Sequence, residues 1–352
     1  MKIAFKFLCI ALVCCLKTQA QNGIESILFT GIEDANKLTQ AYVNPAMKGF
    51  IHAMNNGWYH TAKVHKTLGL DLTVGASGAF ISAADESFNF TDLQLSNLIV
   101  SHPSSSPTLA GGEVPTGDQV TLLIPANSLP DLNDGVHPEL TNSFTMPDGF
   151  KSALPMNVVP APPMAQLSIG LPFKADLILR MGPKINLDET DIHLFGVGLK
   201  KEITHWFGPV KYTPLHVSLL GTYTQMGIST QIEDSVEGTN RELAITLNSY
   251  SIQAIASLNF PIINFYGGFG YSGGNSQVDM LGNYHLTYQT GLPSPNNTVT
   301  RTLTDPIEQQ FTTSTFKTTV GTRLSLGFFK VFADYSIQEY NTVSAGVAIS
   351  IR

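Results

Sequence analysis

From Leu68 onward, hydrophobic residues take every second position. Leu68, Leu70, Leu72, Val74 and Ala76 fall on one side of the segment, and Gly69, Asp71, Thr73, Gly75 and Ser77 on the other. A period of two is that of a pleated strand. The same rhythm returns from about residue 165 to the last residue. In 175–187, Leu177, Leu179, Met181 and Ile185 oppose Asp176, Arg180, Lys184 and Asn186. Phe316, Val320, Leu324, Leu326 and Phe328 oppose Lys317, Thr319, Arg323 and Ser325, and Val331, Ala333, Tyr335 and Ile337 oppose Lys330, Asp334, Ser336 and Gln338. The last strand sets Val343, Ala345, Val347, Ile349 and Ile351 against Thr342, Ser344, Gly346, Ala348 and Ser350.

Runs of this length exceed the ~5–6 residues usual in soluble sheets and suit the about 9–11 tilted residues that cross a bilayer. Their polar faces carry Gly, Ser and Thr with few charges, which fits a crowded interior better than a solvated surface. The pattern predicts an all-β fold, a transmembrane antiparallel β-barrel of about 10–14 strands. Nine strands are predicted from about residue 165 and one over 67–82, ten together, and a hairpin within 88–124 would make twelve. Outer-membrane barrels have short periplasmic turns and longer outer loops. Counting back from a last strand that descends to Arg352 puts the turns at 172–174, 205–213, 259–261 and near Phe329 in the periplasm. It puts the excursions 229–241 and 275–311 outside, with 277–289 as a strand extension above the membrane.

Two regions break the rhythm. Ile24, Ile27, Leu28, Ile32, Ala35 and Leu38 keep a helical spacing. Asn44-Pro45 is expected to end this helix, because the residue before a proline is driven out of the α region. A second short helix is expected through Met47, Phe50 and Met54, ending near Asn55-Asn56-Gly57. Residues 21–66 thus read as a helical plug and 67–352 as the barrel. Residues 101–163 hold eleven of the 20 prolines. Proline blocks ladder hydrogen bonds, so this stretch is predicted to be a mostly irregular extracellular loop over the barrel mouth.

Composition narrows the class further. Charged residues make up 13% and hydrophobic ones 43%, which excludes a disordered chain. No run of about 18 apolar residues exists to form a membrane-spanning helix. With 20 Lys+Arg against 27 Asp+Glu, a net charge of -7, sequence-independent nucleic-acid binding is excluded as well. Lys2 and Lys6 precede the apolar run Phe7–Leu16, and Thr18-Gln19-Ala20 sets small residues ahead of Gln21. These features predict a secretory signal peptide over 1–20, cleaved after Ala20. Cys9, Cys14 and Cys15 all lie in that segment, so the exported chain is expected to have no thiol.

The sequence contains no Gly-x-Ser-x-Gly, HExxH or phosphate-loop motif. His52, His60 and His65 are spaced eight and five apart, which fits no zinc pattern. Spacing assigns no serine partner to His193, His216 or His285. No catalytic or metal-ligating residue and no cofactor is therefore assigned, and the chain is expected not to be an enzyme. The informative side chains are charges on the polar strand faces: Asp176, Arg180, Lys184, Lys317, Arg323, Lys330 and Asp334. Unpaired charge is costly to bury, so these are expected to pair with one another or with plug residues such as Glu33, Asp34 and Lys48. The lumen and gate candidates are Asn44, Pro45, Lys48, Asp176, Arg180, Lys184, Lys317, Arg323 and Asp334. Gly267, Gly268, Gly270, Gly273 and Gly274 are expected to make room for the plug. Trp58, Tyr59, Trp206, Phe207 and Tyr212 fall near periplasmic strand ends, where an aromatic girdle belongs. The first two also suit packing around the neck of the plug.

The stretches Ala41-Tyr42-Val43-Asn44-Pro45-Ala46-Met47-Lys48-Gly49-Phe50, 55–63 (NNGWYHTAK), 66–71 (KTLGLD) and 160–171 (PAPPMAQLSIGL) resemble a family of uncharacterised outer-membrane β-barrel proteins of Gram-negative bacteria. That resemblance implies the barrel and brings no assigned activity. Asn44-Pro45-Ala46 after an N-terminal helical segment is also similar to the long-chain fatty-acid transporter superfamily. This second resemblance implies a lumen hatch and fourteen strands. Barrels near eight strands are filled by side chains and those of sixteen or more are open, so a plugged barrel of this size is not expected to be a general porin. The expected function is an outer-membrane barrel that binds or passes a small apolar ligand through a plugged lumen. The alternative is a non-transporting surface or assembly barrel whose outer loop binds a partner. Expected surroundings and partners are outer-membrane lipid and a small hydrophobic ligand, with no nucleic acid, for a monomeric chain.

Overall fold

The computed structural model describes residues 24–127, 138–153, 158–183, 185–187, 190–232, 236–290 and 298–351. The expected signal peptide and Lys184 lie outside the described residues. Ten strands form the wall: β1 Leu70–Phe80, β2 Met164–Leu171, β3 Ala175–Met181, β4 Thr190–Glu202, β5 Leu215–Gln231, β6 Glu237–Asn259, β7 Ile263–Gln289, β8 Ile307–Leu326, β9 Phe329–Ile337 and β10 Thr342–Ile351. Each pairs antiparallel with its chain neighbour, and β1 pairs with β10 from Leu70↔Ile351 to Ala79↔Thr342. The sheet therefore closes on itself and leaves no long edge. Short turns join β2 to β3, β6 to β7 and β8 to β9 at one end, as the hydrophobic rhythm predicts. Residues 277–289 are indeed an extension of β7, paired with a return segment Thr298–Thr304.

Around the lower wall, side-chain placement is the reverse of that in a water-soluble protein. Ile252 is 70% exposed and Phe316 67%, while Ser251 and Ser272 are fully buried. Soluble proteins rarely expose so many large apolar side chains together, whereas a barrel wall facing lipid requires it. The outward apolar band runs from Tyr250 to Leu258 on β6 and from Phe316 to Leu326 on β8, matching the about 9–11 residues that cross a bilayer. Strands β5 to β8 continue well beyond the band at the other end, as a collar.

The hairpin expected within 88–124 does not join the wall. Ser87–Asn89 pairs with Ser105–Pro107, and Ile99–Ser101, Val120–Ile124 and Leu140–Phe144 form a separate three-stranded sheet. The barrel thus has ten strands, not twelve or fourteen. The stretch 101–163 is also less irregular than its proline content suggests, because Val120–Ile124 and Leu140–Phe144 contain no proline and Pro125 and Pro138 fall just outside them. Together with Val158–Pro160, which pairs with the upper part of β1, these pieces build a cap on the collar.

The first element is a short 3-10 helix, Ile24–Thr30. Gly31 follows with φ 87°, a left-handed conformation that suits glycine, and then comes one α-helix, α1, Ile32–Met54. The expected break at Asn44-Pro45 is absent, since α1 runs through Pro45. A proline inside a helix costs about 3 kcal/mol. That cost is offset here because Tyr42, Val43, Ala46, Met47, Ile51 and Met54 are all buried in the core shared by collar and cap. Burial of each such side chain contributes about 1.5–3 kcal/mol, so tertiary packing outweighs local preference.

Candidate functional site

The C-terminus of α1 points into the barrel, and two cations from the wall meet it. Arg180 on β3 donates through Nη1 to the carbonyls of Met54 (2.9 Å) and Asn56 (3.0 Å). Lys317 on β8 donates to the carbonyl of Asn55 (3.0 Å) and to Asn56 Oδ1 (2.8 Å). Ser77 on β1 donates to the Ala53 carbonyl at 2.7 Å. The last carbonyls of a helix lack partners within the helix and carry a partial negative charge, so buried cations are suited to this end. Both are nearly inaccessible to solvent, at 1% exposure each. Arg180 is fixed further by Gln166 Oε1 (3.1 and 3.3 Å) and lies 3.7 Å over the ring of Trp58. Among the described residues neither cation forms an ion pair with a carboxylate. Asp334 accepts instead from Tyr266 (2.9 Å).

The register places this clamp at the top of the apolar band. Arg180 sits beside Met181, which opposes the outward Phe195, and Lys317 sits beside Phe316, which opposes Tyr271. Helix α1 therefore occupies the collar, and the neck 55–69 fills the lumen inside the band. Wall glycines make room for the neck. A Cβ at Gly198 would come within 3.1 Å of the Trp58 ring, and one at Gly268 within 2.3 Å of Tyr59 Oη. Gly274 does the same for Ile51 of α1, whereas Gly267 has only backbone near it. Trp58 and Tyr59 are buried in the neck, while Trp206 (64% exposed) and Phe207 stand outward near the short turns, as a girdle requires.

Below the clamp lies a network of ion pairs. Asp71 on β1 meets His60 (3.3 Å), Lys330 (3.5 Å), Thr73 (2.8 Å) and Ser350. Asp176 meets Lys200 (2.9 Å) and both the ring (3.0 Å) and backbone N–H (2.9 Å) of His65. Glu202 takes His216 at 3.0 Å, and Arg323 Nη1 lies 3.0 Å from His60 Nδ1. Between the neck and the last strands a cavity of about 490 Å³ opens toward the short turns.

A third cluster ties α1 to the turn after β9. Lys48 Nζ lies 2.9 Å from Glu339, Thr313 donates to Glu339 at 2.7 Å, and His52 lies 3.4 Å away. The hydrogen bonds from His52, Thr313 and Lys48 hold the Glu339 carboxyl well below the usual carboxylate range.

The lumen candidates Asp176, Arg180, Lys317, Arg323 and Asp334 all project inward among buried groups. They do not pair mainly with one another. Arg180 and Lys317 bind carbonyls of the plug, and Asp176 binds Lys200 and His65. Glu33 pairs with Lys37 (2.9 Å) and Asp34 accepts from Ser96 (2.5 Å), so neither reaches the wall charges. Asn44 and Pro45 lie in mid-helix, away from the clamp. His60, His65, Asp71, Lys200 and Glu339 were not among the candidates. Asp71 had the right signal, a carboxylate on an inward face, but its partners come from the neck and from the far end of the chain. Among the histidines weighed for a serine partner, His216 binds Glu202 and His285 binds Thr302 (2.9 Å).

Solved outer-membrane proteins resemble this structure at low similarity. They include the outer membrane protease OmpT from Escherichia coli (8% identity, 80% of this chain and 97% of that one, TM-score 0.31). The translocator domain of the autotransporter NalP from Neisseria meningitidis matches over 82% of this chain and 90% of its own, at 11% identity and TM-score 0.30. The attachment invasion locus protein Ail of Yersinia pestis matches over 50% of this chain and 93% of its own, at 12% identity and TM-score 0.25. None of these likenesses bears on what this chain does. The expectation that it is not an enzyme is withdrawn, because it rested on missing sequence motifs, and catalytic groups are defined by their geometry and roles rather than by a motif. No curated protein matches the sequence. Residues 1–351 match a family of unknown function (DUF6588), and the chain belongs to that family.

Proposed function

We propose that this outer-membrane barrel binds and passes a small solute through its lower lumen, with the lower neck 60–69 as the moving part and α1, the clamped stretch 55–59 and the cap as a fixed roof. The observation that carries this reading is the contrast between the two halves of the plug. Releasing α1 would expose Leu38, Tyr42, Met47, Phe50, Ile51 and Met54, a cost of about 9–18 kcal/mol, comparable to the whole stability of a domain. The lower neck, 60–69, is held by hydrogen bonds such as Thr61 and Ala62 to Ser257 (3.2 and 3.0 Å) and by the ion pairs of His60 and His65, and Ala62 is its one buried apolar side chain among the described residues. The cavity beside it gives the neck space to move into. Val64, Phe260 and Pro261 in its lining would receive the apolar body of the solute.

The asymmetry of connections supports the orientation. Long connections of outer-membrane barrels face outward, which supports a cap and α1 on the outer side and a cavity at the periplasmic mouth. In this reading residues 1–20 are a cleaved leader, and the barrel works as a monomer in lipid. A second reading, a surface barrel whose cap meets a partner, is supported by the cap's own sheet and by a cavity of about 570 Å³ between Glu86, Ser104, Ser106 and Asp118.

A disulfide lock separates the two. Thr61 and Ser257 face each other at 3.2 Å, and beyond Cys9, Cys14 and Cys15 the chain has no cysteine. In proteoliposomes, reduced T61C/S257C protein is expected to pass small solutes and the oxidised form to stop passing them. Equal leakage of both forms, or none from either, would overturn the gated reading, and the latter would leave the cap as the functional part.

A further inference from the structure

The cavity at the short-turn end has a lining whose charge the ion-pair network does not use up. Lys63 and Lys66 come from the neck, Arg323 from β8 and Lys330 from β9, with His65 and Ser350 beside them. Among the described residues no carboxylate lines the cavity. Around it, Lys63, Lys66, Lys200, Arg323 and Lys330 outnumber Asp71, Asp176 and Glu202 by two, before any charge on His65. Those carboxylates are already engaged: Asp176 by Lys200 and His65, Asp71 by His60 and Lys330, and Glu202 by His216.

Arg323 makes the surplus more pointed. It is only 7% exposed, its Nη1 faces a histidine nitrogen rather than an acid, and its Nε has no hydrogen-bond partner among the described residues. A buried guanidinium left this way is costly, and an anion entering the cavity would supply both the missing acceptor and the missing charge. From these observations we infer that the cavity is a binding site for a phosphate group carried by a small or amphiphilic molecule. Phosphate fits better than a single carboxylate, because it offers several oxygens and up to two charges to cations arriving from three chain segments. About 490 Å³ falls within the range of ordinary ligand pockets, roughly 300–1,000 Å³. Two of the cations lie on the neck and two on the wall, so the bound anion would tie the moving part to the fixed one. This last step rests on the gated reading above, whereas binding is measured without any flux.

The phosphate could belong to a free solute or to the headgroup of a lipid in the inner leaflet, and the test has an arm for each. Full-length exported protein folded in detergent is titrated calorimetrically with inorganic pyrophosphate. Saturable binding is expected, weakened about tenfold in K63Q/K66Q, whose two side chains form no hydrogen bond or ion pair among the described residues, and unchanged in K37Q at the opposite end. Protein in nanodiscs of phosphatidylcholine is then compared with protein in discs that also contain phosphatidylglycerol. Pyrophosphate binding equal in both identifies a free solute. Binding lost in the second, with phosphatidylglycerol retained through purification by wild type but not by K63Q/K66Q, identifies a lipid headgroup. Neither saturable pyrophosphate binding below about 1 mM nor retained lipid, or binding indifferent to K63Q/K66Q, would overturn the site.

Discussion

The guanidinium of Arg180 lies 3.7 Å over the ring of Trp58 and at the same time donates to the Met54 and Asn56 carbonyls on either side of the turn that leads out of α1. One wall side chain thus fixes both the end of the helix and the start of the neck. Arg180→Ala would leave two buried carbonyls without donors and is expected to lower stability by about 2–4 kcal/mol. Arg180→Lys, which keeps the charge but not the planar fork, should fall between the two. Urea titration of the vesicle-folded protein measures both, and a loss as small as that of an exposed-site substitution would disprove the clamp.

The neck fits against glycine, so its position can be probed by steric cycles. A Cβ at Gly268 would reach 2.3 Å from Tyr59 Oη and 3.0 Å from Ile255. Gly268→Ala is expected to cost about 1–3 kcal/mol, and Tyr59→Phe, which removes that oxygen, should recover part of it in the double variant. Additive effects would mean that the two residues do not touch.

Glu339 sets the acid side of the stability profile. Its folded-state pKa is depressed by His52, Thr313 and Lys48, so its contribution is fully present above the unfolded glutamate value of about 4.3. It is lost as the pH falls below that value toward the depressed folded one. Wild type should lose stability across this acid range, and Glu339→Gln should show a flatter profile with a lower plateau at neutral pH. Parallel profiles would show that the latch contributes nothing to holding α1.

The outward band tests the membrane reading directly. Ile252, 70% exposed, lies within it, and Ile252→Lys is expected to destabilise the bilayer-folded protein by about 2–4 kcal/mol. In a soluble protein the same change would be neutral or improve solubility. A neutral effect in vesicles would contradict lipid contact at this position.

The strand rhythm was readable because alternation is local: each residue of β8 or β10 shows its face through its immediate neighbours. The inward charges Arg180 and Lys317 were readable for the same reason, as polar-face residues in a wall with few of them. Their partners were not, since Arg180 meets Met54 and Lys317 meets Asn55 across more than a hundred residues of chain. Pro45 misled for the opposite reason. Its local preference is real, but the buried faces on both sides of it belong to one core.

Alternation and turn spacing, read along the chain, were enough to establish a membrane barrel with an N-terminal insert and inward-facing charge, because both follow from backbone geometry and the demand of lipid for an apolar exterior. Closure at ten strands, the unbroken helix in the collar and the cation-lined mouth were settled only in three dimensions. They depend on which distant segments meet in the lumen, where desolvation makes unpartnered charges and carbonyls costly, and no short stretch of chain carries that information.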